Sequence, residues 1–169
     1  GSEGGTGFGG EFGGGGRRLD TRLAARVQAW DSQRVDRLLQ VVFDLQTVER
    51  HQQALRLFEE LLDKPLKTQQ QRELLFWMAE SLQALEQFDQ AAYLYLKSAA
   101  LVDPMAMDPW AQTARYRAAK ALVEAGLLED AKRIYSSLLR ATHDASRKAV
   151  LENEIQRLHL VKAVKKGGG

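Results

Sequence analysis

Three histidines, His51, His143 and His159, are the side chains best suited to acid–base work or metal ligation in this 169-residue chain. They are scattered, with no HxxxH or HxxE spacing that would set two ligands on one helical face. Cysteine is absent, which removes disulfides, thiolate metal sites and a thiol nucleophile. No serine lies in a recognisable nucleophile turn. Acidic pairs such as Glu59–Glu60 and Glu129–Asp130 read as solvated charge on helix surfaces. GTGFGG, inside residues 1–16, matches the spacing of a dinucleotide-binding glycine motif. That motif needs a preceding strand and a following helix N-terminus, and here no strand precedes it. The spacing is also expected by chance in so glycine-rich a stretch. These residues together point to a non-enzymatic chain with no catalytic residue, no cofactor and no metal.

Charge narrows the partners. Lys+Arg totals 24 against 22 Asp+Glu, a formal net charge of +2. That balance lacks the basic stripe of a nucleic-acid surface, so no nucleic-acid partner is expected. No apolar run reaches the roughly 18–20 residues needed to span a bilayer, so direct membrane insertion is not expected. The chain has no initiator Met and no signal-peptide h-region, and it reads as a fragment from which a targeting segment could have been removed.

The elements that would position any site are helices. Of the 14 glycines, 13 lie in residues 1–16 or 167–169, which leaves Gly126 alone between residues 17 and 166. Residues 1–16 read as a flexible linker or tag, either engineered or a natural tether, and 164–169 as a flexible tail. The segment 17–163 is rich in Leu, Ala, Gln, Arg and Glu, which lose little rotamer freedom in a helix. Leu19, Leu23, Val27 and Trp30 form a stripe that predicts a helix over 18–31. Val35, Leu38, Val42 and Leu45 form the next, and Ala54, Leu57, Phe58 and Leu61 a third, which stops before Lys64-Pro65. Thr68 and Gln71 have the spacing of a capping box. Asp108-Pro109 places a cap before a first-turn proline. Gly126 falls where a left-handed helix end is expected. A last amphipathic helix is predicted over 144–163.

Three segments repeat one pattern. Ala54, Ala91 and Ala131 each open a second helix, 37 and 40 residues apart, and an aromatic follows four positions on at Phe58, Tyr95 and Tyr135. Upstream, Leu45, Leu82 and Leu122 correspond, as do Val42, Ala79 and Ala119. This pattern resembles the tetratricopeptide repeat. The family's small residue matches Ala79 and Ala119, its large apolar residue Leu82 and Leu122, and its crossing alanine Ala91 and Ala131. Its closing Asp-Pro resembles Asp103-Pro104. The first repeat departs from it, with Val42 in the small slot and His51 where an apolar ring is usual, so His51 reads as a packing residue. The spacings also exceed the family's 34 residues. The resemblance implies an all-α fold: a right-handed α-solenoid of three helix hairpins over 33–64, 70–104 and 109–140. An extra N-terminal helix and a capping helix at 144–163 would close its ends.

In this family, ligands are usually peptides or partner helices laid in a concave groove lined by the first helix of each repeat. Transferred by position, that face holds Leu39, Phe43 and Gln46, then Phe76, Glu80 and Gln83, then Tyr116, Lys120 and Val123. The family's carboxylate clamp is not expected, because Leu39 and Phe43 stand where Lys and Asn are needed. Arg117 and Lys120 remain able to attract an acidic side chain. Phe43, Phe76 and Tyr116 would anchor an apolar segment, unless the chain's own neighbours fill those positions. Met105, Met107 and Trp110 form a second apolar cluster, read either as a contact patch or as local packing. The implied function is a scaffold or adaptor that binds another protein. The alternative is a structural component that self-associates through its end helices into a homo-oligomer. The Leu/Ala/Gln/Arg-rich repeats resemble those of bacterial envelope and secretion machinery. That analogy favours a periplasmic or membrane-associated setting over the cytoplasm.

Overall fold

In the computed structural model, residues 33–101 and 108–167 are described, with side chains as far as Val161. The expected linker over 1–16, the helix over 18–31, Asp103-Pro104, Met105 and Met107 lie outside the described residues. All the described regular structure is helical. The helices are α1 over 33–47, α2 (His51–Leu62), α3 (Thr68–Ala84), α4 (Phe88–Ala100), α5 (Pro109–Glu124), α6 (Leu128–Ala141) and α7 (Ala145–Gly167). The chain divides into two compact units at Leu74/Leu75, inside α3. In the first unit, Val35, Leu39 and Val42 of α1 and Ala54, Phe58 and Leu61 of α2 are buried. In the second, α4 packs on α5, α5 on α6 and α6 on α7, in the sequential order of a solenoid. None of the described helices is long and apolar enough to cross a membrane.

Local chemistry sets the helix starts. Asp108 caps α5 by accepting from the Trp110 backbone N–H at 3.3 Å, with Pro109 in the first turn. Asp144 likewise accepts from the Arg147 N–H at 2.9 Å and opens α7, which runs past the expected end at 163 to Gly167. The start of α3 differs from the expected Thr68/Gln71 box. Thr68 is already helical, and the Lys67 N–H donates to Gln70 Oε1 at 3.1 Å. Gln70 is the side chain three residues beyond Lys67, which is the reach that back-bonding at a helix start requires.

Three helix ends are built alike. Arg50 N–H donates to Leu45 O at 2.8 Å, Gln87 N–H to Leu82 O at 2.9 Å, and Leu127 N–H to Leu122 O at 2.8 Å. Inside each, the preceding N–H donates at 3.0 Å, Glu49 to Gln46 O, Glu86 to Gln83 O and Gly126 to Val123 O. This is the paired bonding of a Schellman end, which requires a left-handed residue. Gly126 supplies it at φ +82°, but Glu49 and Glu86 adopt it at +62° and +61° with a Cβ present. Left-handed backbone disfavours L side chains by roughly 1–2 kcal/mol, partly recovered in glycine's greater unfolded-state entropy. Glu86→Gly should therefore stabilise the fold by about 0.5–1 kcal/mol, and Gly126→Ala should cost about 1 kcal/mol. Urea midpoints of the two variants check both signs.

The residues around these turns are buried in the same register. Val42, Ala79 and Ala119 are fully buried, as are Ala54, Ala91 and Ala131 where the following helices begin. Phe58, Tyr95 and Tyr135 are among the largest fully buried side chains. Small residues let helix backbones approach, and the rings fill the space beside them.

Candidate functional site

The residues expected to line a groove fall in both units. Leu39, Phe43 and Gln46 belong to the first, where Leu39 is buried and the other two are half-buried. The Phe43 carbonyl accepts from Thr47 Oγ1 at 2.9 Å within α1. Phe76, Glu80, Gln83, Tyr116, Arg117, Lys120 and Val123 all belong to the second unit. Only these seven can be placed against one another.

Phe76 sits in an aromatic cluster. Its ring lies 4.9 Å from Trp110, 5.3 Å from Tyr95 and 5.4 Å from Trp77, centroid to centroid. It is 7% exposed, so these ring contacts serve packing within the unit. Trp110 is anchored in the same cluster by its Nε1–H, which donates to Ser98 Oγ at 3.1 Å. Packing therefore accounts for Trp110, the one described member of the second apolar cluster.

Beside the rings lies a charged triplet. The Tyr95 hydroxyl donates to Glu80 Oε1 at 2.5 Å, and Arg117 Nη1 donates to the same oxygen at 3.2 Å. Burial pushes the Tyr95 hydroxyl far above the ordinary phenol range, and the hydrogen bond and charge of Glu80 add to the effect. Arg117 opposes it. Glu80 is thus a shared acceptor that ties α3 to α4 and α5, and Arg117 has a partner inside the protein. Charge-assisted bonds of this kind are stronger than neutral ones.

Further along α5 the surroundings change. Lys120 Nζ stands 5.7 Å from the centroid of the Tyr116 ring, and Tyr116 tilts against Tyr135 at 5.9 Å. Burial raises the Tyr116 hydroxyl above its ordinary value, with the Glu154 charge adding to it. The Gln83 side-chain oxygen and the Tyr135 hydroxyl are buried and find no hydrogen-bond partner among the described residues. Near the start of α5, a pocket of about 320 Å³ is lined by Tyr116, Leu138, Thr142, Arg147, Val150 and Leu151, among others. Arg147 Nη1 reaches across to Gln112 Oε1 at 3.4 Å. No three His, Cys, Asp or Glu side chains among the described residues come together in a way that could hold a metal ion.

Arg157, Glu154 and the pocket wall on α7 were not singled out by residue pattern. A helix read as a cap draws no comparison with α3 and α5. The signal was nevertheless present: Arg117 and Arg157 are separated by the same 40 residues as Ala91 and Ala131. No protein-family model matches this chain, and no curated protein is significantly similar to it. What the site does must be read from its own side chains.

Proposed function

We propose that the chain is a non-catalytic scaffold of three tetratricopeptide-like hairpins that binds a peptide or helix of another protein along the first-helix face. The observation that carries this reading is the recurrence of one turn, hydrogen bond for hydrogen bond, at Glu49–Arg50, Glu86–Gln87 and Gly126–Leu127. It is joined by the matching burial of the small and aromatic residues on either side. In the second unit, the proposed face presents half-buried Gln83, Tyr116 and Val123 beside exposed Arg117 and Lys120. That mixture of apolar surface and hydrogen-bonding groups suits a peptide partner.

The test is affinity capture with the full chain, comparing wild type with an Arg117→Ala/Val123→Glu variant. The wild type should retain a specific protein, and the variant should lose at least about tenfold of it while its melting temperature stays within a few degrees, since Arg117 is 49% exposed and Glu80 keeps its bond to Tyr95 without it. Equal recovery by both would remove the proposed face.

A second reading, self-association, is favoured by one observation. Val150, Leu160 and Val161 leave α7 with exposed apolar side chains, Leu160 at 66%. Sedimentation at high protein concentration separates the two readings, because a monomer excludes assembly through this helix.

A further inference from the structure

The junction of α3, α4 and α5 and the junction of α5, α6 and α7 can be compared residue by residue. At the first, the Trp110 indole fills the space. It packs on the Phe76 ring of α3 at 4.9 Å and donates through Nε1–H to Ser98 Oγ of α4 at 3.1 Å. In the 40-residue register of Ala91 and Ala131, Phe76 corresponds to Tyr116 and Ser98 to Leu138. Tyr116 and Leu138 both line the pocket of about 320 Å³. The pocket therefore lies where the preceding junction holds an indole.

The first turn of α5 supplies that indole. Trp110 stands two residues after Asp108, which caps the helix. Two residues after Asp144, which caps α7 in the same manner, stands Ser146, and Ser146 also lines the pocket. This offset is 36 residues, shorter than the 40 of the register, because fewer residues connect α6 to α7 than α4 to α5. A hydroxymethyl group stands in place of a two-ring side chain, and the difference in volume remains as the pocket. The size agrees: a cavity of roughly 150 Å³ admits a benzene molecule, so about 320 Å³ accommodates a bicyclic aromatic group.

The geometry points to a recognition pocket for an indole-sized aromatic side chain, a tryptophan of the partner segment. It takes against Tyr116 and Leu138 the place that Trp110 takes against Phe76 and Ser98. Contact between aromatic rings adds to the gain from apolar burial. Val150 completes the apolar wall from α7 and is 46% exposed, so the wall is open to a visitor. Arg147 Nη1 reaches Gln112 Oε1 at 3.4 Å, which sets a planar guanidinium between α7 and α5 where it can stack on an aromatic face. Leu138 offers no acceptor in place of Ser98, so a visiting ring N–H turns to Gln112 Oε1 or to a hydroxyl of the wall. Tyr116 also belongs to the proposed first-helix face, and the pocket adjoins that face through it. The inference rests on the scaffold reading for the source of the ring and on the comparison of junctions for its chemistry.

The test is fluorine NMR of 5-fluoroindole titrated with the full chain, a signal that the protein's own tryptophans do not obscure. Wild type should shift or broaden the resonance saturably, with a Kd on the order of 1 mM for so small a ligand. Ser146→Trp, which fills the pocket from within, should abolish binding and melt about 2–4 °C above wild type. Val150→Glu brings a charge to the apolar wall and should weaken binding at least about tenfold, with a melting temperature within a few degrees of wild type. Leu160→Glu, on the same helix and outside the lining, should bind as wild type does. No saturable change with wild type, or equal binding by wild type, Ser146→Trp and Val150→Glu, would overturn the pocket. Fluoroindole binding without any captured protein removes the scaffold reading alone and leaves a free indole compound as the visitor. Capture that is lost with Arg117→Ala/Val123→Glu and retained by Ser146→Trp removes the partner's tryptophan alone.

Discussion

Raising the pH from 10 to about 11.5 should remove about 3–4 kcal/mol of folding stability through two tyrosines. In the unfolded chain a tyrosine loses its proton near pH 10. In the fold, Tyr95 is held far above that value, by burial first and then by the hydrogen bond and charge of Glu80. Tyr135 is also held well above it, by burial first, then by the charge of Glu154 and by Tyr116, with Arg157 opposing. Above pH 10 the unfolded state therefore binds fewer protons than the native state, and stability falls as pH rises. Below pH 10 the contribution is fully present. Each tyrosine contributes a slope of about 1.4 kcal/mol per pH unit. Against an ordinary domain stability of roughly 5–15 kcal/mol, that is enough to bring the protein close to unfolding.

Urea midpoints at pH 8, 10 and 11.5 measure the slope, and Tyr95→Phe or Tyr135→Phe should each remove about half of it. The two variants should differ at pH 8. Tyr95→Phe forfeits a bond to a charged acceptor, about 1.5–3 kcal/mol, whereas Tyr135→Phe removes an unsatisfied hydroxyl and should be close to neutral. A flat profile between pH 10 and 11.5 would contradict the buried state of both hydroxyls.

Phe76→Ala should cost about 3–5 kcal/mol, because truncating a buried ring leaves a cavity that its neighbours fill only in part. Phe76 touches Trp77, Tyr95 and Trp110, so the loss extends through a cluster that joins α3, α4 and α5. Chemical denaturation would show a lowered midpoint. A change under about 1 kcal/mol would mean that the ring is not part of the core. The expectation also bears on how binding is tested. Phe76 is an apolar side chain on the proposed face by sequence position, yet its removal would weaken any partner through loss of the fold. Arg117 and Val123, outside this cluster, report on binding more cleanly.

Much of the local architecture was legible in the chain. Asp108-Pro109 named a helix start, because a short acceptor before a fixed φ satisfies the first free amides. Gly126 named a helix end, whereas the same left-handed end at Glu49 and Glu86 emerged only from the backbone, because no glycine advertises it there. The capping box at Thr68 was less legible. Several glutamines in succession offer the same side chain at neighbouring positions, and only the backbone decides which one folds back.

The candidate site divides differently. Sequence by itself determined which residues occupy equivalent places on successive helices, because helical periodicity and a shared turn count them off. It therefore already contained the exchange of Glu80 for Lys120 and of Phe58 for tyrosine. Only the tertiary structure decided what those places mean. Tyr95, Glu80 and Arg117 are separated by 15 and 37 residues along the chain and meet at one oxygen only once α3, α4 and α5 have packed. Packing likewise turned Phe76 inward among other rings and left the Tyr135 hydroxyl buried with no acceptor among the described residues. A residue type states what a side chain can donate or accept. Whether it has done so depends on neighbours that helix packing brings to within 3 Å or so, and no local pattern carries that distance.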